Sequence, residues 1–200
     1  MKQLFNRTSC IILSAGNSER MGGHKALLRF DSGQTFIQKI AETYTNAGVG
    51  QIIVVVNGDL YKLMQESNLT LSEKVLSVIN SYPELGRFCS LQTGVKLLEP
   101  GNSCFFQNID NPFTSEEVLR ELIAHKDESE VILPVFQNRS GHPVFINNSV
   151  VQKIMLNKNS DIRIDEFLKK FKTVGVVTAD RNILLNINSK EDYMAAGFEI

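Results

Sequence analysis

The chain predicts an α/β fold with a mostly parallel central sheet flanked by helices, and three observations carry that expectation. Short β-branched runs alternate with amphipathic stretches from end to end, the pattern left by strands that crossover helices cover on both faces. The first apolar run breaks directly into a glycine-rich loop bearing two cations, as a buried strand feeding a phosphate site would. The 200 residues are 42% hydrophobic, enough for one sizeable core. No linker, repeat or low-complexity tract divides them, so a single domain over residues 1–200 is expected.

The elements follow in order. Residues 10–13 (Cys-Ile-Ile-Leu) form the first strand. A helix is expected over 35–47, where Phe36, Ile37, Ile40, Ala41 and Tyr44 share one face and Gly48 supplies the stop. Residues 51–56 read as a second buried strand, 59–67 as a short helix and 75–80 as a third strand. In the helix expected over 88–98, Leu91, Val95 and Leu98 recur at helical spacing. A fourth strand occupies 103–107. Thr114 with Glu117 reads as a capping box for the helix that follows. Strands over 131–136 and 143–146 complete the centre. The last fifth offers a helix over 163–171, strands near 173–177 and 183–187, and a final helix over 190–196.

Composition narrows the class. A formal net charge of −1 and the lack of a basic tract argue against a nucleic-acid partner. The first residues lack the apolar core of a signal peptide, and no run approaches the roughly 20 apolar residues of a membrane span. A cytoplasmic location with no membrane partner is therefore expected. Cys10, Cys89 and Cys104 are odd in number, without metal-ligand spacing, and sit among apolar neighbours; they read as reduced structural thiols. His24 and His125 read as surface residues.

The stretch Ser14-Ala15-Gly16-Asn17-Ser18-Glu19-Arg20-Met21-Gly22-Gly23-His24-Lys25 carries the strongest chemistry. Small residues let the backbone turn and aim amides at an anion, while Arg20 and Lys25 add a planar guanidinium and a mobile ammonium. The loop is not a P-loop, since five residues separate Gly16 from Gly22 and Ala26 follows the lysine. It is not a dinucleotide fingerprint either, because no G-x-G-x-x-G can be read in it. Ligands of such sheets lie outside the carboxyl ends of the strands, so three later strand ends matter too. Asn80 opens a Pro- and Gly-bearing loop that runs through Gly86 into a helix start at Ser90. Asp110 follows an apolar strand and precedes Asn111-Pro112; it suits Mg2+, which binds through one or two carboxylates and the substrate's phosphates. An aspartate before Asn-Pro is equally a turn opener. Gly141-His142-Pro143 follows the 131–136 strand, with an imidazole that titrates near neutrality.

The opening loop resembles the L-A-A-G-x-S-x-R-M-G-x-x-K motif of the MobA-like nucleotidyltransferases, the group holding the molybdenum-cofactor cytidylyl- and guanylyltransferases. Ala15, Gly16, Ser18, Arg20, Met21, Gly22 and Lys25 match it, and Ser14 replaces its first alanine. Asn80, Gly86, Ser90, Leu91 and Gly94 match that family's N-x-x-x-x-x-G-x-x-x-S-L-x-x-G. Asp110-Asn111-Pro112 resembles its D-Q-P, although Gln107 and Asn108 are more polar than the family usually shows. Gly141-His142-Pro143 resembles the G-H-P of the cytidylyltransferase branch. The late segment 186–192 aligns with D-x-D-T-P-E-D or N-x-N-T-P-E-D, and Asn186 and Asn188 follow the form associated with guanylyltransferases.

The resemblance implies a three-layer Rossmann-like nucleotidyltransferase fold and a Mg2+-dependent enzyme. It would move an NMP group from an NTP, CTP favoured, to a small phosphorylated acceptor such as molybdopterin, releasing pyrophosphate. Ser14, Ala15, Gly16, Ser18, Arg20, Gly22, Lys25, Asn80, Gly86 and Ser90 are then expected at the nucleotide, Arg20, Lys25 and Asp110 as catalytic, Asp110 on the metal, and His142, Asn186 and Asn188 at the acceptor. Such an enzyme leaves room for a molybdenum-enzyme or cofactor-delivery partner. A guanylyltransferase using GTP is the first alternative. A nucleotide-binding protein without catalysis is the second, motivated by the missing late aspartate, because an amide is a weaker ligand than a carboxylate for a hard dication.

Overall fold

The computed structural model describes residues 4–16, 21–31, 33–67 and 69–198. Strand β1 (Thr8–Ser14) is buried along its whole length. It can be, because it pairs in parallel on both sides, with β2 (Gln51–Val56) and with β4 (Ser103–Asn108). Strand β3 (Val75–Ile79) adds in parallel outside β2. Beyond β4, the short β7 (Val144–Ile146) runs antiparallel between β4 and β5 (Val131–Phe136). Strand β6 (Arg139–Ser140) turns back on β5, and β8 (Thr173–Val177) runs parallel to it. The sheet of eight strands thus reads β3-β2-β1-β4-β7-β5-β6, with β8 on β5.

Successive strand residues point to opposite faces, and each face is covered by its own helices. On one side Cys10, Ile12, Ile52, Val54 and Phe105 pack with Ile40 and Tyr44 of α1 (Phe36–Ala47), Leu60 of α2 (Gly58–Glu66), Leu122 of α4 (Glu116–Ala124) and Tyr193 of α7 (Lys190–Ala195). On the other, Ile11, Leu13, Ile53, Val55 and Phe106 pack with Leu91 of α3 (Gly86–Val95), Val151 and Ile154 of α5 (Asn148–Leu156) and Phe167 of α6 (Ile164–Leu168). These are the three layers. Among the described residues no helix is long and apolar enough to cross a membrane.

Topology fixes where a site can form. From β1 the chain winds outward through β2 to β3, then crosses back to pair β4 on the opposite side of β1. The strand order reverses between β1 and β4, and loops leaving their carboxyl ends diverge to open a crevice.

The local chemistry departs from expectation in two places. The cap of α4 is Ser115, whose side chain accepts from Val118 N, and not Thr114. Thr114 is turned inward, where its hydroxyl donates to Gln107 Oε1 at 2.9 Å. Residues 183–187 do not form a strand. Asp180 caps a short 3-10 turn, Arg181–Leu184, and the backbone beyond it ties down the loops at the strand ends. His142 N donates to Ile183 O at 3.0 Å, and Ile187 N donates to Asp110 O at 2.7 Å. Groups that a strand would offer to a sheet are occupied in holding those loops. The helix expected over 163–171 shortens to Ile164–Leu168.

All three cysteines are free and buried. Burial pushes the Cys10 and Cys104 thiols up, which keeps them protonated and unreactive. Beside them, Gln107 sits fully buried between the sheet and α1. Its Oε1 accepts from Tyr44 Oη at 3.0 Å as well as from Thr114, and its Nε2 donates to Asn111 O. This amide ties helix α1 to the loop carrying Asp110. Gln107→Leu strands two buried hydroxyls, so urea unfolding should show a loss of about 2 to 4 kcal/mol; an unchanged midpoint would contradict the network's role.

Candidate functional site

Two loops meet at the carboxyl ends of β1 and β4. Ser14 ends β1 buried, and Ala15 follows it. The Ala15 carbonyl accepts from Asn57 Nδ2 at 3.2 Å, while Asn57 Oδ1 caps α2 by accepting from Leu60 N at 2.8 Å. A single asparagine therefore fixes the start of the glycine loop to a neighbouring helix. On the other strand, Ile109 N donates to Leu13 O at 3.1 Å and extends the ladder just before Asp110. Lys25, at the head of the 3-10 turn Lys25–Leu27, comes back across the crevice: its Nζ lies 4.0 Å from Asp110 Oδ2 and donates to Asn188 Oδ1 at 3.0 Å. The Lys25 and Asp110 side chains are only 11% and 22% exposed, so their charges act in less water than a surface pair.

Asp110 Oδ1 is buried with no hydrogen-bond partner among the described residues. A buried carboxylate oxygen without a donor calls for a ligand. The described residues contain no group of three or more His, Cys, Asp or Glu able to hold a metal. That donor set does not suit an ion caged by protein alone. It does suit Mg2+, which keeps waters and takes its remaining oxygens from substrate phosphates.

At the end of β3, Asn80 is buried and committed to its own loop. Its Nδ2 donates to Ser90 Oγ at 3.0 Å and its Oδ1 accepts from Tyr82 N at 2.9 Å. Gly86 turns the chain into α3. Asn80 and Ser90 thereby shape the 80–90 loop through each other.

His142 faces the crevice from the far side. Gly141 must precede it, because a Cβ there would fall 2.4 Å from Ile183 O, a backbone atom that cannot give way easily. Asn108 Nδ2 lies 2.9 Å from His142 Nε2; an amide donating to Nε2 leaves the ring proton on Nδ1. Nδ1 is itself buried without a partner among the described residues. Burial pushes the His142 pKa down; Asp110 opposes that and Arg87 reinforces it. The ring is thus a neutral donor at neutral pH. From Asn108 and His142 a cleft of about 1000 Å³ runs along β5 to α6, with Phe88, Phe106 and Leu133 on its floor and Arg87 and Arg163 on its rim.

Of the residues singled out in the sequence, Lys25, Asp110 and Asn188 are brought together. Asn186 is not: it is exposed and, among the described residues, its Nδ2 donates to the nearby Leu184 carbonyl at 3.5 Å. Ser18 and Arg20 lie outside the described residues. Gly16 is exposed, whereas His24 is half-buried and His125 pairs with Glu128. Sequence reasoning passed over Asn57, for which an asparagine at a strand end before Gly58 was the available signal, and gave no role to Asn108, whose polarity in an otherwise apolar strand end is explained by His142.

An NMR pH titration should find the His142 imidazole protonating below the ordinary value of 6.5. Between the two values the unfolded chain binds a proton that the folded chain does not, so stability falls as pH drops through that window and His142→Gln flattens the fall. Titration at or above 6.5 would contradict the buried neutral ring.

Comparison with known proteins identifies the family. Residues 10–174 match the family model described as MobA-like NTP transferase domain. The chain is 26% identical over 205 residues to a probable molybdenum cofactor guanylyltransferase of Natranaerobius thermophilus, with 94% of each covered. It is 23% identical over 191 residues to the molybdenum cofactor cytidylyltransferase of Escherichia coli, again with 94% of each covered. Its fold is similar to the crystal structure of Rv0371c from Mycobacterium tuberculosis H37Rv, with a TM-score of 0.77 at 18% identity over 96% of this chain and 99% of that one; Rv0371c has also been solved in complex with manganese. With residues 10–174 matched, the chain belongs to the MobA-like NTP transferase family, whose members are nucleotidyltransferases.

Proposed function

We propose that this chain, acting in the cytoplasm as one domain, transfers an NMP group from an NTP, CTP favoured, to a phosphorylated acceptor such as molybdopterin, releasing pyrophosphate. The observation that carries the reading is the approach of Lys25 Nζ to Asp110 Oδ2, 4.0 Å apart across the point where the strand order reverses. A cation and a carboxylate with an orphaned oxygen, held by two loops of different strands, are what a metal-bound triphosphate requires.

The step forms a bond between an acceptor phosphate oxygen and the α-phosphorus as the bond to the pyrophosphate oxygen breaks. Such transfers depend on positioning and on neutralising phosphate charge. Lys25, with Arg20, stabilises charge on the phosphates and on the departing pyrophosphate, and backbone amides between Gly16 and Gly22 fix the chain of phosphates. Asp110 is the residue that would hold Mg2+, which when bound supplies charge neutralisation on the phosphate oxygens. Ser14 and Ala15 border the nucleotide at the end of β1, the motif assigns Ser18 to the same ligand, and Asn80, Gly86 and Ser90 shape a second side of the site. His142 offers its Nδ1–H to the acceptor. The half-apolar cleft beyond it suits an acceptor with a ring body and an anionic end.

A second reading, GTP in place of CTP, is favoured by Asn188. Its Oδ1 bonds Lys25 directly, so the asparagine form of the late motif is built into the phosphate end of the site. Pyrophosphate release measured with each NTP, Mg2+ or Mn2+, and a panel of phosphorylated acceptors including molybdopterin separates these readings; nucleotide binding with no release from any pair would leave a binding protein. Lys25→Ala should lower kcat by roughly 100- to 1000-fold, and Asp110→Asn by a comparable factor that added metal does not restore. Full turnover by Lys25→Ala would overturn the assignment.

A further inference from the structure

We propose that Lys190 is an additional cation of the polyphosphate grip, reaching from α7 across Gly22 to hold the triphosphate or the departing pyrophosphate. This rests on the reading of the glycine loop as the nucleotide's phosphate site. Lys190 Cε and Nζ come within 4.0 Å of where a Cβ on Gly22 would stand. Gly22 has φ +70°, a left-handed conformation of the kind from which anion-binding amide nests are built. A lysine laid over such a residue adds a mobile point charge to backbone donors.

The base of Lys190 is anchored to the site. Asn188, two residues before it, accepts from Lys25 Nζ. Asp192 Oδ2 accepts from Asn188 N at 2.8 Å and Ser189 N at 2.9 Å, and Ser189 Oγ accepts from Asp192 N at 3.2 Å. This reciprocal cap holds the 188–192 turn rigidly against the crevice and engages the Asp192 carboxylate with backbone. Lys190 forms no salt bridge within 4.0 Å among the described residues. Lys25, by contrast, is divided between Asp110 and Asn188.

Helix stability does not account for the lysine. It is the first residue of α7, where the helix presents partial positive charge and a cation is unfavourable. The late motif N-x-N-T-P-E-D has proline at this position, the residue best suited to a first helical turn. This chain replaces it with a charge aimed at the loop.

The test is calorimetric titration of magnesium pyrophosphate into the wild-type chain and into Lys190→Met, Lys190→Pro and Lys190→Arg. Lys190→Met and Lys190→Pro should weaken binding by about fivefold to tenfold, and Lys190→Arg should hold affinity within about twofold. Equal affinity for wild type and Lys190→Met overturns the proposal and leaves the proposed activity standing. A Lys190-dependent pyrophosphate affinity without nucleotidyl transfer upholds it and defeats the activity. No pyrophosphate binding by the wild-type chain defeats both.

Discussion

The structure depends on the parallel pairing of β1 with β4. Their register, Leu13 opposite Asn108, is continued by the bond from Ile109 N to Leu13 O, so both chains leave the sheet side by side. Because β2 and β3 occupy the other flank of β1, no strand separates the carboxyl end of β1 from that of β4. Lys25 and Asp110 meet across the gap between these ends, 4.0 Å apart. Asp110 is one residue beyond the last ladder bond, close enough to be fixed by the sheet and far enough to escape its pairing.

Around this gap the fold uses backbone to bind backbone. The turn at Arg181–Leu184 contributes no strand, yet its carbonyls receive His142 N and Asn111 Nδ2, and the following residue Ile187 binds Asp110 O. Three loops from distant parts of the chain are thereby held in one arrangement, with α7 docked behind them through Tyr193 and Phe36. Removing water from these contacts strengthens the electrostatics of Lys25 and Asp110 without additional charge.

Much of this was legible in the sequence, and the reasons differ by element. The strands at 10–13, 51–56, 103–107 and 131–136 announced themselves because strands covered on both faces must be apolar at nearly every position. Loop chemistry and the motif resemblance singled out Lys25 and Asp110 as candidates, and the structure sets them 4.0 Å apart. What escaped was set by tertiary contact. Residues 183–187, Ile-Leu-Leu-Asn-Ile, are apolar at all but one position as a buried strand is, but Asp180 caps the turn Arg181–Leu184 that overlaps them, and the Ile183 carbonyl and Ile187 amide are claimed by the site loops. Thr114 and Ser115 both stand where a cap fits, and only the buried Gln107 decides between them. The pairing of Asn108 with His142 joins residues 34 apart, a relation that no local pattern contains.

The central claim is that the reversal between β1 and β4 holds a metal-bound triphosphate between Asp110 and Lys25. A crystal structure of the chain with a non-hydrolysable NTP analogue and Mn2+ tests it directly. The account predicts manganese bonded to the Asp110 carboxylate at about 2.1 Å, the distance expected of a small octahedral dication, with phosphate oxygens completing its sphere and Lys25 Nζ in contact with them. A triphosphate bound elsewhere, or a metal that bypasses Asp110, would contradict it.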